Sequence, residues 1–155
     1  MRTLTTSHLP VEPGYVASDF GLSDRNDCVV RAFANVGVDT YPNIRTVLFR
    51  MGRIQNKGTP IMMTHKLARL HGGTYTAIGR SGAKRDRWAQ LYNCGADSME
   101  DKGCSVANVA KRFPSGKYIV SVKGHVFALI NGRIIDTGPM RPGTRVIGVY
   151  SVPNT

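Results

Sequence analysis

The sequence predicts an α+β fold, on three observations. Apolar residues recur at helical spacing through residues 24–113, while β-branched and aromatic runs fill residues 117–152. Asn131-Gly132 joins two of those runs as a type I′ hairpin turn would. Helices that precede the strands, instead of alternating with them, imply N-terminal helices packed on a C-terminal antiparallel sheet. At 155 residues the chain suits one domain with its own core. That domain is expected over residues 23–155, behind an extended arm over residues 1–22 in which Pro10, Pro13, Gly14 and Gly21 break any periodicity.

In chain order, "DRNDCVVRAFANVG" places Val29, Val30, Phe33 and Val36 at helical intervals behind Asn26 or Asp27 as N-cap, with Gly37 as terminator. Cys28 falls in its first turn. "TYPNIRTVLFRMG" carries Pro42 near its start, a stripe of Ile44, Val47, Leu48 and Met51, and Gly52 as its stop. "TPIMMTHKLARLHGG" repeats the pattern, with Thr59 as cap, Pro60 at the first position, Met63, Leu67 and Leu70 inward, and Gly72 at the end. A short strand at "TYTAI" precedes "AKRDRWAQLYNCG", expected as a helix with Trp88, Leu91 and Tyr92 inward and Gly95 closing it. Ser105 opens and Pro114 ends a helix that buries Val106, Val109, Ala110 and Phe113. Strands then follow at "KYIVSV", "HVFALI", "RIIDT" and "RVIGVYSV".

With 41% hydrophobic and 20% charged residues the chain is a folding sequence, not a disordered one. Its 21 Lys and Arg against 10 acids give a net charge of +11. That sign restricts long-range partners to anionic ones: nucleic acid, lipid headgroups, cell-wall polymers or an acidic protein. The basic residues are scattered, with Arg45, Arg50, Arg53 and Lys57 in one stretch and Arg80, Lys84, Arg85 and Arg87 in another. No apolar run is long enough to span a bilayer, and the first residues lack a signal-peptide pattern. Three cysteines, an odd number, fit free thiols in a reducing compartment. His65 and His71 lack helical zinc spacing, Cys94 and Cys104 lack finger spacing, and no phosphate loop or dinucleotide fingerprint occurs. No cofactor or metal is therefore expected.

The stretch "KGHVFALINGRIIDTG" is an oily hairpin with a histidine at its entrance and an aspartate near its exit. With Asn131 and Gly132 as loop residues, Ile130 faces Arg133 and Phe127 faces Asp136, which makes His125 and Asp136 diagonal neighbours within side-chain reach. Ionisable groups in such a setting must be satisfied or used. Cys28, at a helix start, sits where unpaired N–H groups favour thiolate over thiol. An imidazole beside it would form an ion pair able to attack a carbonyl, and a carboxylate on the other ring nitrogen would fix the tautomer.

These residues resemble the papain-like cysteine peptidases, in which a cysteine at a helix N-terminus precedes a histidine on one strand and an Asp or Asn on the next. "NDCVVRAFANV" is similar to the nucleophile helix, "GHVFALING" to the histidine strand and "GRIIDTG" to the acid strand. More narrowly, the pairing resembles small papain-like proteins of tailed phages and bacteria, related to bacteriocin-processing and cell-wall peptidases. The resemblance covers residues 24–37 and 105–138. It implies Cys28 as nucleophile, His125 as general base and then acid, and Asp136 as orienter, acting on a peptide or isopeptide amide through a thioester. The glutamine that papain and the bacteriocin-processing group place before the cysteine is missing from "GLSDRN", so Asn26 is the candidate oxyanion donor beside the Cys28 N–H. The implied setting is the bacterial cytoplasm or a phage virion. The alternative is a catalytically inactive fold of this type, serving as a virion structural or binding protein that holds other virion proteins, nucleic acid or another anionic partner on its basic surface.

Overall fold

The structure, a computed structural model, describes residues 8–91 and 95–153. It is an α+β arrangement of five helices and a seven-stranded mixed sheet. The helices are α1 (Cys28–Asn35), α2 (Tyr41–Met51), α3 (Ile61–Leu70), α4 (Gly79–Gln90) and α5 (Val106–Arg112). The strands are β1 (Val11–Glu12), β2 (Thr74–Ile78), β3 (Ser98–Glu100), β4 (Lys117–Val122), β5 (His125–Ile130), β6 (Arg133–Ile135) and β7 (Val146–Ser151), in the spatial order β1-β6-β5-β4-β7-β2-β3.

The expected antiparallel C-terminal sheet forms the middle of this structure, but the sheet is larger and mixed. β7 pairs antiparallel with both β4 and β2, so the strand between α3 and α4 joins the C-terminal set. Parallel pairs close the two edges, β1 on β6 and β3 on β2. Neither edge strand has a sequence signal, because runs of two and three residues are too short to show a period. Part of the expected arm is thus sheet, and Ala17–Phe20 adds a turn of 3₁₀ helix.

Side chains alternate across the sheet. Ile119, Val126 and Ala128 pack with Val30, Phe33, Ile44, Leu48 and Leu67 of α1 to α3, whereas Val120, Phe127 and Leu129 pack with Val106 and Val109 of α5. The hairpin between β5 and β6 has the expected register, with Ile130 opposite Arg133 and Leu129 opposite Ile134. Asn131 and Gly132 both adopt positive φ, 49° and 77°, as the tight turn requires. β6 stops at Ile135, and the Asp136 N–H passes to the Glu12 carbonyl of β1.

Three expectations about helices are corrected. Pro60, not Thr59, is the N-cap of α3, and the Thr59 hydroxyl has no hydrogen-bond partner among the described residues. Leu70, at the last turn of α3, is exposed. α4 begins at Gly79 and turns the other way round from the expectation: Trp88 and Leu91 are 59% and 75% exposed, while Gly79, Gly82, Asp86 and Ala89 face inward. The reason is steric. A Cβ at Gly82 would lie 2.4 Å from the Ile147 carbonyl oxygen, so the helix rests on β7 through its smallest residues and no large side chain fits beneath it. Tyr92 and Cys94 lie outside the described residues.

Candidate active site

α1 begins at Cys28, and the first turn of a helix has N–H groups with no intrahelical partner. Asp27 occupies the N-cap position, but its carboxylate makes no cap bond. It accepts instead from Arg31 Nε at 3.0 Å and from the Tyr41 hydroxyl at 2.5 Å. α1 packs against β5, and this contact brings Cys28 to the start of that strand, where His125 stands. The thiol lies beside the His125 ring and the Val126 backbone N–H, and both act to hold its pKa below the usual value.

His125 Nε2 lies 2.5 Å from Asp136 Oδ2. With Nε2 engaged there, Nδ1 is the ring nitrogen left to exchange a proton with sulfur. The sulfur, the ring and the carboxylate come from residues 28, 125 and 136, and the fold gathers them at one place: ring and carboxylate share a hydrogen bond, and thiol and ring line one cleft.

Their electrostatics are coupled. Burial pushes the Cys28 thiol up, but the neighbouring His125 ring, the Val126 N–H and the charges of His125 and Arg31 outweigh it and hold the thiol below its usual value. The Asp136 hydrogen bond, with the neighbouring Cys28 sulfur, raises His125 to about 9 against the cost of its burial. Burial likewise opposes ionisation of Asp136, and contacts with His125, the Thr137 N–H and Arg31 reverse the effect, so its carboxyl is held low. All three shifts favour the same state: thiolate, imidazolium, carboxylate.

Sequence reasoning missed the group that anchors this set. Arg31 Nη1 donates to Asp136 Oδ1 at 2.9 Å and to Thr137 Oγ1 at 3.1 Å, while its Nε holds Asp27. Asp136 is therefore gripped at one oxygen by Arg31 and the Thr137 N–H and presents the other to His125. The available signal was the spacing: Arg31 follows Asp27 by four residues and Cys28 by three, so it shares their side of the helix.

Asn26, the expected oxyanion donor, is not brought to this group. It adopts φ 57° and its Nδ2 donates to the Asn56 carbonyl at 2.9 Å, joining the segment before α1 to the loop after α2. The same junction holds a buried ion cluster. Asp24 accepts from Arg53 Nη1 and Nη2, both at 2.8 Å, from Arg45 Nε at 2.9 Å and from the Asn56 N–H at 2.9 Å. Burial opposes the Asp24 charge, yet these donors lower its pKa to about 2. The loop after α2 continues to Gly58 and Thr59, which line a cleft of about 250 Å³ together with Cys28, His125, Arg85 and Gly124.

Tyr150 also lines the cleft and rests on His65, whose Nδ1 is 2.5 Å from the tyrosine hydroxyl. Burial lowers His65 to about 4, so its ring is neutral at ordinary pH. It is a core histidine and takes no part in a metal cluster, for no group of three metal-ligating side chains occurs among the described residues. Cys104 is buried as a free thiol. No helix among the described residues is long and apolar enough to cross a membrane. No protein-family model, characterised protein or solved structure matches the chain significantly.

Proposed function

We propose that this chain is a papain-like cysteine hydrolase that cleaves a peptide or isopeptide amide through a thioester. The observation that carries the reading is the meeting of the Cys28 thiol, the His125 ring and Asp136: the ring is hydrogen-bonded to the carboxylate and shares an open cleft with a sulfur at a helix N-terminus. Sequence order supports it as well: nucleophile helix first, then histidine and acid on adjacent strands of one hairpin.

In the forward reaction the Cys28 thiolate attacks the amide carbonyl carbon, and the resulting oxyanion meets N–H groups at the start of α1, that of Cys28 foremost. The imidazolium of His125 gives its Nδ1 proton to the departing nitrogen as the C–N bond breaks, which leaves a thioester and a free amine. Water then enters, His125 takes its proton, and hydroxide adds to the thioester carbon. Collapse expels the Cys28 thiolate, releases a carboxylic acid and restores the ion pair. Asp136, held by Arg31, keeps the ring in the productive orientation throughout.

The test is alkylation of Cys28 by iodoacetamide as a function of pH. The native protein should react well below the ordinary thiol range, and His125→Ala should lose that enhancement; equal reactivity in both proteins rejects the hydrolase. One observation favours a second reading, a non-catalytic phage virion or binding protein of the same fold: the net charge of +11. In that case association with DNA would be steeply salt-dependent and indifferent to Cys28→Ser.

A further inference from the structure

α4 presents Trp88 outward, on a face it shares with basic residues. Ser81, Lys84, Arg85 and Trp88 recur at intervals of three, one and three, which aligns them on a single stripe. Opposite them stand Lys123, from the turn between β4 and β5, and Thr144 and Arg145, just before β7. Together with Ile147 these residues enclose a groove of about 610 Å³. Its lining has four cations and no carboxylate. None of the four forms an ion pair with an acidic side chain among the described residues. Asp86, the acid within α4, faces the interior and accepts from the Ala96 N–H and Gln90.

The groove adjoins the candidate active site. Arg85 lines both spaces, and the turn between β4 and β5 contributes Lys123 to the groove and Gly124 to the cleft that holds the thiol. A chain whose amide lies at Cys28 has to leave the cleft, and this groove opens one route for it.

We propose that the groove binds an acidic peptide segment of the substrate, next to the bond to be cleaved, with Lys84, Arg85, Lys123 and Arg145 facing its carboxylates and Trp88 with Ile147 contacting an apolar side chain. This rests on the hydrolase reading and adds a substrate class to it. Charge selects the partner, and the exit from the cleft makes it the substrate's own chain, not a separate polyanion. Four cations with no carboxylate among them set a positive potential in the groove that favours an acidic occupant.

Trp88 is the sole tryptophan, so intrinsic fluorescence reports on this groove directly. The experiment titrates the full-length Cys28→Ala protein with four probes of equal length: a Glu/Leu decapeptide, its Gln/Leu and Lys/Leu counterparts, and a thymidine oligonucleotide. The Glu/Leu peptide should perturb Trp88 at concentrations roughly tenfold or more below the Gln/Leu peptide, and added salt should erase the difference. Lys84→Glu with Arg145→Glu should abolish the preference while Cys28 in the otherwise native protein keeps its alkylation profile. Equal binding of the Gln/Leu peptide, or an unaltered preference in the double variant, overturns the proposal. Tighter binding of the oligonucleotide than of the acidic peptide overturns it as well and makes the groove a nucleic-acid surface. Loss of the His125-dependent thiol reactivity would instead sink the hydrolase reading, and that measurement does not involve the groove.

Discussion

At the residue scale the candidate site depends on a side chain that touches neither sulfur nor imidazole. Arg31 compensates two nearly buried carboxylates, Asp27 and Asp136. Arg31→Met should leave both uncompensated and destabilise the fold by about 3–5 kcal/mol, read as a lowered denaturant midpoint. Arg31→Lys, which keeps the charge but loses the fork that reaches both acids, should recover part of the stability while the Cys28 alkylation profile shifts toward an ordinary thiol. The pH range of the site follows from its shifts. His125 is raised from 6.5 to about 9, so the stabilisation from its charged form is complete below 6.5 and is lost as pH rises through 9. Cys28 is lowered, so its thiolate forms below the ordinary 9.0 and is lost only as pH falls through that depressed value. Amide cleavage should therefore fall on the alkaline side near pH 9, where His125 no longer holds the proton that the leaving nitrogen needs, whereas alkylation of the thiolate should not fall there. Much of this was legible in the chain itself, because Cys28, His125 and Asp136 each sit beside a helix start or a hairpin end. Arg31 was not, since its worth comes from an acid 105 residues away.

At the scale of elements, the segment before α1 and the loop after α2 are joined through Asp24, whose side chain and that of Arg53 are fully buried. Asp24→Asn should cost about 3–5 kcal/mol by leaving Arg53 buried without its counter-charge. The sign with pH is set by the depressed carboxyl: its contribution is complete above 3.8 and is lost as pH falls through about 2. The stability gap between native protein and variant, measured by urea unfolding, should accordingly narrow between pH 4 and pH 2. α4 shows where periodicity misleads. The helical pattern puts Trp88 and Leu91 inward, but the inward face is made of glycine, alanine and a hydrogen-bonded aspartate, and only the closeness of β7 explains why. The hairpin was predictable to the residue because Asn131-Gly132 fixes both turn and register.

For the whole molecule, the sheet has a strong centre and weak margins. β7 pairs along its length with β4 and β2, and its Val149 and Tyr150 reach cores on opposite faces. β1 and β3 hold the edges with two and three residues. Native-state hydrogen exchange should be slowest in β4, β5 and β7 and fastest in β1 and β3; rapid exchange of β7 would contradict this order. The sequence announced helices before strands, yet it could not announce that β7 would lie between β4 and β2, because strand order is decided by contacts between distant parts of the chain.

The central position of β7 also bears on how the protein is made. A ribosome delivers the cysteine helix long before residues 146–151, the strand that ties β2 to the hairpin set. Until those residues emerge, the two portions of the sheet have no shared member to hold them in place. The hairpin that carries His125 can therefore pair early, whereas its union with β2 waits for residues 146–151.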